Sequence, residues 1–237
     1  AYEMQRSRVG SEMCIRDSNM LSGYSEPANW NRLIVAPIWM KKRFLEMIHR
    51  ETKNAKEGKP AKIIAKCNSL CDRKIILALY EASCAGVQVD LIVRGICCLV
   101  AGKPGVSENI RVRSIVGTFL EHARIFYFYN DGHEEIYMGS ADWMPRNLDR
   151  RVEIVFPVEE EELKEKAKHI LDVQLSDTLK AHRLLEDGTY QKVDRRGKEA
   201  IEAQKTFCEE AIAAANESKK KVPKKRTFDP RFSPQEE

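Results

Sequence analysis

The chain has 237 residues, of which 43% are hydrophobic and 32% are charged, and its formal net charge is +4. This composition is ordinary for a globular protein, and the length allows one or two domains with cores of their own. No apolar run reaches the roughly 20 residues that a membrane-spanning helix needs. Much of the positive charge lies in residues 216–237, so the composition gives no reason to expect a nucleic-acid partner.

The seven cysteines form no CxxC pair and show no spacing typical of a zinc site. We therefore expect reduced thiols and a cytoplasmic location, with peripheral membrane association left open. Residues 1–18 show neither helical nor strand periodicity and resemble translated adapter sequence. We set them apart as a non-native lead-in, the alternative being an ordinary disordered N-terminus. Residues 216–237 are rich in lysine and predict a disordered basic tail.

The first predicted elements are a short strand at residues 33–37 and an amphipathic helix that begins near Met40. A strand at residues 62–66, a helix capped by Asp72 and a strand at residues 87–93 follow. Two strands joined through a helix by short connections form a βαβ unit, so we expect them to be parallel.

The second half of the chain predicts four more strands and two more helices. The strands are residues 109–116, 119–129, 135–138 and 151–158, and the helices run from Glu159 to at least Leu171 and from Glu199 to Ala215. Arg111 and Arg113 are predicted to lie on the wet face of an edge strand. The fold class is α/β, a mixed sheet flanked by helices, with residues 181–215 as a helical extension before the basic tail.

Polar side chains follow both strands of the βαβ unit. Lys66 and Asn68 stand at the end of the first strand, and Arg94 follows the second. Ligands of α/β sheets bind beyond the carboxyl ends of the parallel strands. These three side chains are therefore candidate ligands of an anion.

Residues 119–129 are rich in aromatic and β-branched side chains, which predicts a buried strand. Side chains alternate along a strand, so we expect His122 and Arg124 to project from the same face. An imidazole beside a guanidinium suits an anionic phosphate, because the imidazole can attack or hydrogen-bond and the guanidinium can pair with two oxygens. Taken alone, the segment is explained somewhat better by a strand with one hydrogen-bonded histidine.

The segment between the last two predicted strands adds further polar groups. Its candidate phosphate ligands are Arg146, Asn147 and Arg151. The competing interpretation is a solvated loop, in which the arginines of this segment pair with Asp142 and Asp149.

Five segments together resemble the C-terminal part of polyphosphate kinase of the large, histidine-phosphorylating type. They are LIVRGICCL (91–99), SENIRVRSIVG (107–117), FLEHARIFYF (119–128), GSADWMPRNLDRRVE (139–153) and SDTLKAHR (176–183). The resemblance runs from about Asn19 to the helix before the tail, and the DWMPRN block is its most distinctive motif. It implies that residues 19–180 form the second phospholipase-D-like catalytic domain of that family.

The resemblance implies reversible transfer of the terminal phosphate of ATP to inorganic polyphosphate through a phosphohistidine. ATP and ADP would be substrates, Mg²⁺ would be a cofactor whose ligands this sequence does not identify, and full-length members would be homo-oligomers. Arg94 and His122 match the family's ATP-binding arginine and its second active-site histidine. The matched motifs that line the same region also contain Lys66, Asn68, Arg124, Arg146, Asn147 and Arg151.

The sequence departs from the phospholipase-D pattern, which has His-x-Lys and then an aspartate. Arg124 replaces the lysine, and Tyr129 stands at the aspartate position. A guanidinium holds its proton more tightly than an ammonium does, so Arg124 would stabilise charge without donating a proton. This agrees with a supporting role for His122.

The family's phosphorylated histidine belongs to an upstream domain, and the N-terminal, head and first phospholipase-D-like domains of the family have no counterpart in this sequence. We therefore expect these upstream domains as partners and incomplete kinase activity from the chain alone. Two other functions stay open. One is a phospholipase-D-like phosphodiesterase or nuclease half-site that is active as a dimer, and the other is a non-catalytic nucleotide- or polyanion-binding module.

Overall fold

A computed structural model describes residues 32–197 and 199–221. The predicted lead-in at residues 1–18 and the tail beyond residue 221 lie outside this part. The strands are β1 (Ile34–Ala36), β2 (Lys62–Cys67), β3 (Gln88–Val93), β4 (Ile110–Ile115), β5 (Ile125–Phe128), β6 (Glu135–Gly139), β7 (Glu153–Pro157), β8 (Ala181–Leu184) and β9 (Tyr190–Lys192). The helices are α1 (Met40–Lys56), α2 (Arg73–Cys84), α3 (Pro145–Asp149), α4 (Glu161–Leu175) and α5 (Ala203–Lys221).

The strands form one mixed sheet in the order β1-β7-β6-β5-β2-β3-β4-β8-β9. Strands β2, β3 and β4 are parallel at its centre, and the flanking pairs are antiparallel. The predicted βαβ unit is confirmed, because β2 and β3 pair in parallel from Lys62 opposite Gln88 to Cys67 opposite Val93. The predicted fold class, an α/β mixed sheet flanked by helices, is confirmed as well.

Helices α1 and α2 cover one face of the sheet. The apolar stripe of α1, which includes Met40 and Phe44, is fully buried. The ring of Phe44 packs edge-on against Phe126 of β5 with centroids 4.7 Å apart, and Phe126 stacks on Trp143 at 5.1 Å. Helix α2 begins at the predicted cap, because Asp72 accepts hydrogen bonds from two backbone amides of the first turn at 3.0 and 3.1 Å. The aromatic cluster fixes the segment after β6 against the sheet.

Helix α4 covers the other face. Side chains on a strand alternate between faces, so Ile63 of β2 packs under α1 and α2 whereas Ile64 joins a second core with Tyr127 and Leu171. No helix within residues 32–197 and 199–221 has the length and apolarity to span a bilayer.

The strand predicted at residues 119–129 is shorter in the structure. Strand β5 begins at Ile125, which pairs with Lys66 near the end of β2. Residues 119–124 have no ladder partner and form a loop, in which Phe119 and Leu120 are 60% and 70% exposed. The prediction that His122 lies on a buried strand is therefore wrong. His122 lies in the loop, three residues before the strand.

The environment of β4 also differs from the prediction. Strand β8 pairs with β4 and β9 pairs with β8, so β4 is internal and not an edge strand. Arg113, predicted on the wet face, is half-buried and donates to the backbone carbonyl of Leu175. Residues 181–192, predicted as part of a helical extension, instead form two short strands that carry little periodic signal. Helix α5 extends past residue 216, where we placed the start of the tail.

Candidate functional site

One edge of the sheet gathers the segments that carry the candidate ligands, and we call it the carboxyl edge. Antiparallel pairing aligns Lys66 with Ile125 and Ile125 with Met138, so the ends of β2 and β6 meet the start of β5 there. Strand β3 ends at the same edge because it is parallel to β2. Beyond the strands, Leu70 forms bridges to Cys97 on one side and Trp143 on the other. The segments after β2, β3 and β6 therefore run side by side.

A chain of hydrogen bonds connects four side chains at this edge. Arg94 donates from Nε and Nη2 to Oδ1 of Asn68 at 3.3 and 3.1 Å. Asn68 donates from its backbone N and from Nδ2 to Oδ1 of Asp142 at 2.7 and 3.3 Å. Arg124 donates hydrogen bonds to both carboxylate oxygens of Asp142, from Nε to Oδ1 at 3.2 Å and from Nη2 to Oδ2 at 3.1 Å. A buried carboxylate thus brings together three predicted ligands, Arg94, Asn68 and Arg124.

Gly95 allows the ends of β2 and β3 to approach closely. A Cβ atom at this position would lie 2.8 Å from the carbonyl oxygen of Asn68, closer than side chains tolerate. The amide of Gly95 donates to that same oxygen at 2.7 Å. The absence of a side chain therefore keeps Arg94 beside Asn68.

His122 is exposed at the carboxyl edge. Its backbone carbonyl accepts a hydrogen bond from Nη1 of Arg124 at 2.8 Å. The guanidinium that pairs with Asp142 therefore also restrains the loop. In the part of the chain that the structure describes, the imidazole ring itself makes no hydrogen bond or ion pair. Both ring nitrogens are therefore available to a ligand.

Lys66 lies inside the protein, away from the exposed arginines of the carboxyl edge. It is 3% exposed, and its Nζ lies 3.0 Å from Oε2 of Glu121. Gln174 and Gln204 also donate to this carboxylate, at 2.8 and 3.0 Å. Burial by itself would raise the pKa of Glu121, but the charge of Lys66 and the hydrogen bonds outweigh burial and lower the pKa. The ammonium of Lys66 therefore neutralises a half-buried carboxylate.

Arg146 in α3 and Arg151 before β7 are both exposed. Among the residues that the structure describes, neither guanidinium has a hydrogen-bond or ion-pair partner. Burial and the neighbouring Cys98 thiol raise the pKa of Cys71 to about 11, and the charge of Arg146 opposes this shift. The charge of Arg146 therefore affects the pKa of a residue that follows β2, which indicates that Arg146 lies at the carboxyl edge.

The competing interpretation of this segment, a solvated loop of internal ion pairs, is contradicted. Asp142 pairs with Arg124 at 3.1 Å, and Asp149 pairs with Lys41 of α1. The two acidic residues that would have neutralised the loop arginines are engaged elsewhere.

Asn147 is 3% exposed and is not a surface ligand. Its Nδ2 donates to Oε1 of Glu153 at 2.6 Å, and the hydroxyl of Ser140 donates to the other oxygen of that carboxylate. These bonds fasten α3 to the end of β6 and the start of β7. Asn147 thereby fixes the backbone that carries Arg146 and Arg151.

The residues at this edge do not fit a resident Mg²⁺ ion. Within residues 32–197 and 199–221, no group of three or more His, Cys, Asp or Glu side chains is arranged to hold a metal. The carboxylates of Asp142 and Glu153 already accept hydrogen bonds from Arg124 and Asn147.

Three acidic residues of the site were not singled out from the sequence, and they are Glu121, Asp142 and Glu153. Asp142 was considered only as a partner of the loop arginines. The available signal was Tyr129, which stands where the phospholipase-D pattern has its aspartate, so a carboxylate partner for Arg124 had to be sought elsewhere. Nothing in the local sequence distinguishes Glu121 or Glu153 from a surface glutamate.

Known proteins match this chain over most of its length. Residues 33–204 match the family model described as polyphosphate kinase C-terminal domain 2. A polyphosphate kinase from Synechocystis sp. is 52% identical over 200 residues, which are 84% of this chain and 28% of the relative. One from Pseudomonas aeruginosa is 53% identical over 179 residues, which are 76% of this chain and 26% of the relative.

A solved structure agrees with these sequence matches. The crystal structure of polyphosphate kinase from Porphyromonas gingivalis superposes with a TM-score of 0.80 at 39% identity, covering 86% of this chain and 31% of that one. The chain spans about 28% of the length of the Synechocystis relative. Since the family model covers well over half of its residues, the chain belongs to the family of polyphosphate kinase C-terminal domains.

Proposed function

We propose that this chain supplies the ATP- and phosphate-binding half of a polyphosphate kinase, which transfers the terminal phosphate of ATP reversibly to inorganic polyphosphate. The observation that carries the proposal is the uncompensated charge at the carboxyl edge. Among the described residues, Arg146 and Arg151 have no side-chain partner, and the guanidinium of Arg94 hydrogen-bonds only to the neutral amide of Asn68. The names of the relatives supply the substrate class.

The chemistry of phosphoryl transfer fits this arrangement. The transition state spreads negative charge over the equatorial oxygens, so catalysis consists mainly of positioning and charge stabilisation. A guanidinium stays protonated and matches two phosphate oxygens with two parallel N–H groups. Arg94, Arg146 and Arg151 can bind phosphate without breaking an existing ion pair, and we assign them the direct contacts.

The other predicted residues take supporting roles in this proposal. The exposed imidazole of His122 contacts the transferring phosphate, while Arg124 holds the loop of His122 and neutralises Asp142. Asn68 and Asn147 orient the arginines beside them. We assign the covalent phosphohistidine to another part of the longer relatives. Any Mg²⁺ would be bound to the phosphates of ATP.

Apolar side chains are exposed around the same edge. Those just beyond β3 and β4 and at the start of the His122 loop are Ile96, Val116, Phe119 and Leu120, at 62%, 64%, 60% and 70% exposure. Large apolar side chains exposed at the same edge as the uncompensated cations favour an interaction surface there. We propose that it packs against the upstream domains of the longer relatives and that these domains close the site.

The test is phosphate transfer from γ-labelled ATP by the chain mixed with the remaining part of a relative. We expect labelled, acid-labile phosphoprotein and polyphosphate with the wild type, and a loss of at least about 100-fold with His122→Ala. The matched control is His133→Ala, since His133 is an exposed histidine in the turn between β5 and β6, at the opposite edge. Equal transfer by His122→Ala would contradict the proposal, and phosphodiester cleavage without nucleotide would favour the nuclease alternative.

A further inference from the structure

Side chains, and not a strand ladder, hold the loop that carries His122. Gln204, near the start of α5, forms two hydrogen bonds with the backbone of Phe119 in this loop. Its Oε1 accepts from the Phe119 amide at 2.9 Å, and its Nε2 donates to the Phe119 carbonyl at 2.8 Å. The same Nε2 donates to Oε1 of Glu121 at 3.0 Å. Gln204 is 6% exposed, so these bonds are shielded from water.

Glu121, the residue directly before His122, is the second side chain that holds the loop in place. Its Oε2 accepts from Nζ of Lys66 at 3.0 Å and from Nε2 of Gln174 at 2.8 Å. Lys66 belongs to β2 and Gln174 to the last turn of α4. One carboxylate therefore joins the loop to the sheet, to α4 and, through Gln204, to α5.

The start of α5 is itself fixed in place by Asp177, which is 1% exposed. Its Oδ1 accepts from the amides of residues 179, 180 and 181 at 3.0, 2.7 and 3.0 Å, and its Oδ2 accepts from the Ala203 amide at 2.8 Å. Gly117 leaves room for Gln204, because a Cβ at Gly117 would lie 2.3 Å from Oε1 of Gln204. These contacts determine where Gln204 meets the loop.

We propose that Glu121 is a positioning residue for His122, and that Lys66 serves the site by holding Glu121 and not by contacting phosphate. The inference rests on the function proposed above. The Glu121 side chain is drawn into the protein while the neighbouring imidazole stays exposed. Without the carboxylate the loop would sample many conformations, and a misplaced catalytic group loses rate steeply.

The first test is backbone amide exchange in the 237-residue chain. Glu121→Ala should raise the exchange rate of the Phe119 amide in this loop by at least about tenfold, because Gln204, which accepts from that amide, loses its bond to the Glu121 carboxylate and local opening becomes easier. The matched control is Glu134→Gln, since Glu134 is also half-buried and bonded to a lysine, Lys168, at 2.8 Å, but outside this loop. Amides of β2 and β3 in the same samples separate a loosened loop from a loosened fold.

Unchanged exchange in the loop would overturn the inference, and so would an equal rise in the loop and in β2. The double variant Lys66→Met with Glu121→Gln removes both charges but keeps a side chain that can bond Gln174 and Gln204. It should recover part of the protection lost in Glu121→Ala. No recovery would overturn the idea that these bonds hold the loop.

The second test is calorimetric binding of inorganic tripolyphosphate to the same variants. Glu121→Ala should weaken binding several-fold while Glu134→Gln binds like the wild type. Wild-type binding that Glu121→Ala leaves unchanged would overturn the positioning role. A wild-type chain that fails to bind tripolyphosphate would instead contradict the proposed function, and the exchange experiment would still decide whether Glu121 orders the loop.

Discussion

The cations at the carboxyl edge fall into two regions with opposite surroundings. In the inner region, the buried Lys66 pairs with Glu121 and the half-buried Arg124 pairs with Asp142. In the outer region, Arg146 and Arg151 are exposed and have no such partner among the described residues. The comparison shows that cationic side chains at one edge can either neutralise carboxylates inside the protein or stay exposed without such a partner.

Burial explains the difference. A buried charge needs a partner because the loss of hydration is expensive, whereas an exposed guanidinium keeps its water. The outer cations repel each other weakly in water, so binding an anion would lower their electrostatic free energy. We therefore expect substitutions in the inner region to change folding, and substitutions in the outer region to change binding.

The largest expected effect on stability is that of Arg124→Ala. Among the described residues, it leaves the carboxylate of Asp142, which is 4% exposed, with only the hydrogen bonds from Asn68. Removing one partner of a buried pair costs about 3–5 kcal/mol of unfolding free energy, which urea denaturation would measure. Arg146→Ala, the matched outer variant, should change the unfolding free energy by less than about 0.5 kcal/mol.

The double variant Arg124→Met with Asp142→Leu sharpens this comparison, because it leaves no unpaired buried charge. It should be less destabilised than Arg124→Ala. Equal unfolding free energies for Arg124→Ala and Arg146→Ala would erase the distinction between the two regions.

A smaller effect is expected in acid. The folded-state pKa of Glu121 lies below its ordinary value, so its ionisation stabilises the fold. This contribution is fully present above the unfolded pKa of about 4.3 and is lost as the pH falls through the folded-state pKa. The urea midpoint of Glu121→Gln should therefore lie below that of the wild type at about pH 6, and the gap should narrow towards about pH 3. A gap that stays constant or widens in acid would contradict this assignment.

The sequence predicted the centre of the fold better than its margins. Strands β2 and β3 and helices α1 and α2 have strong periodicity and clear end signals, including the cap at Asp72. Strands β8 and β9 are four and three residues long, too short for a periodic pattern to stand out. Strand β5 was predicted too long because Phe119 and Leu120 resemble strand residues, although β2 offers them no partner.

The candidate site shows the same limit. Motif matching selected the exposed arginines and His122, the residues to which we assign phosphate contacts. It did not separate Lys66 from them, because a lysine at a strand end has the same local sequence whether it faces a ligand or a buried glutamate. That distinction depends on Gln174 and Gln204, which lie far along the chain and reach Glu121 only in the folded protein.

The most direct test of the central claim is calorimetric titration of tripolyphosphate into the wild type, the double variant Arg146→Ala with Arg151→Ala, and the control Arg111→Ala. Arg111 is an exposed arginine near the opposite end of β4. Each charge-assisted hydrogen bond contributes about 1.5–3 kcal/mol, so the double variant should bind at least about 100-fold more weakly. The control should stay within about twofold of the wild type. Equal binding by all three proteins would contradict the claim that the outer arginines of the carboxyl edge hold phosphate.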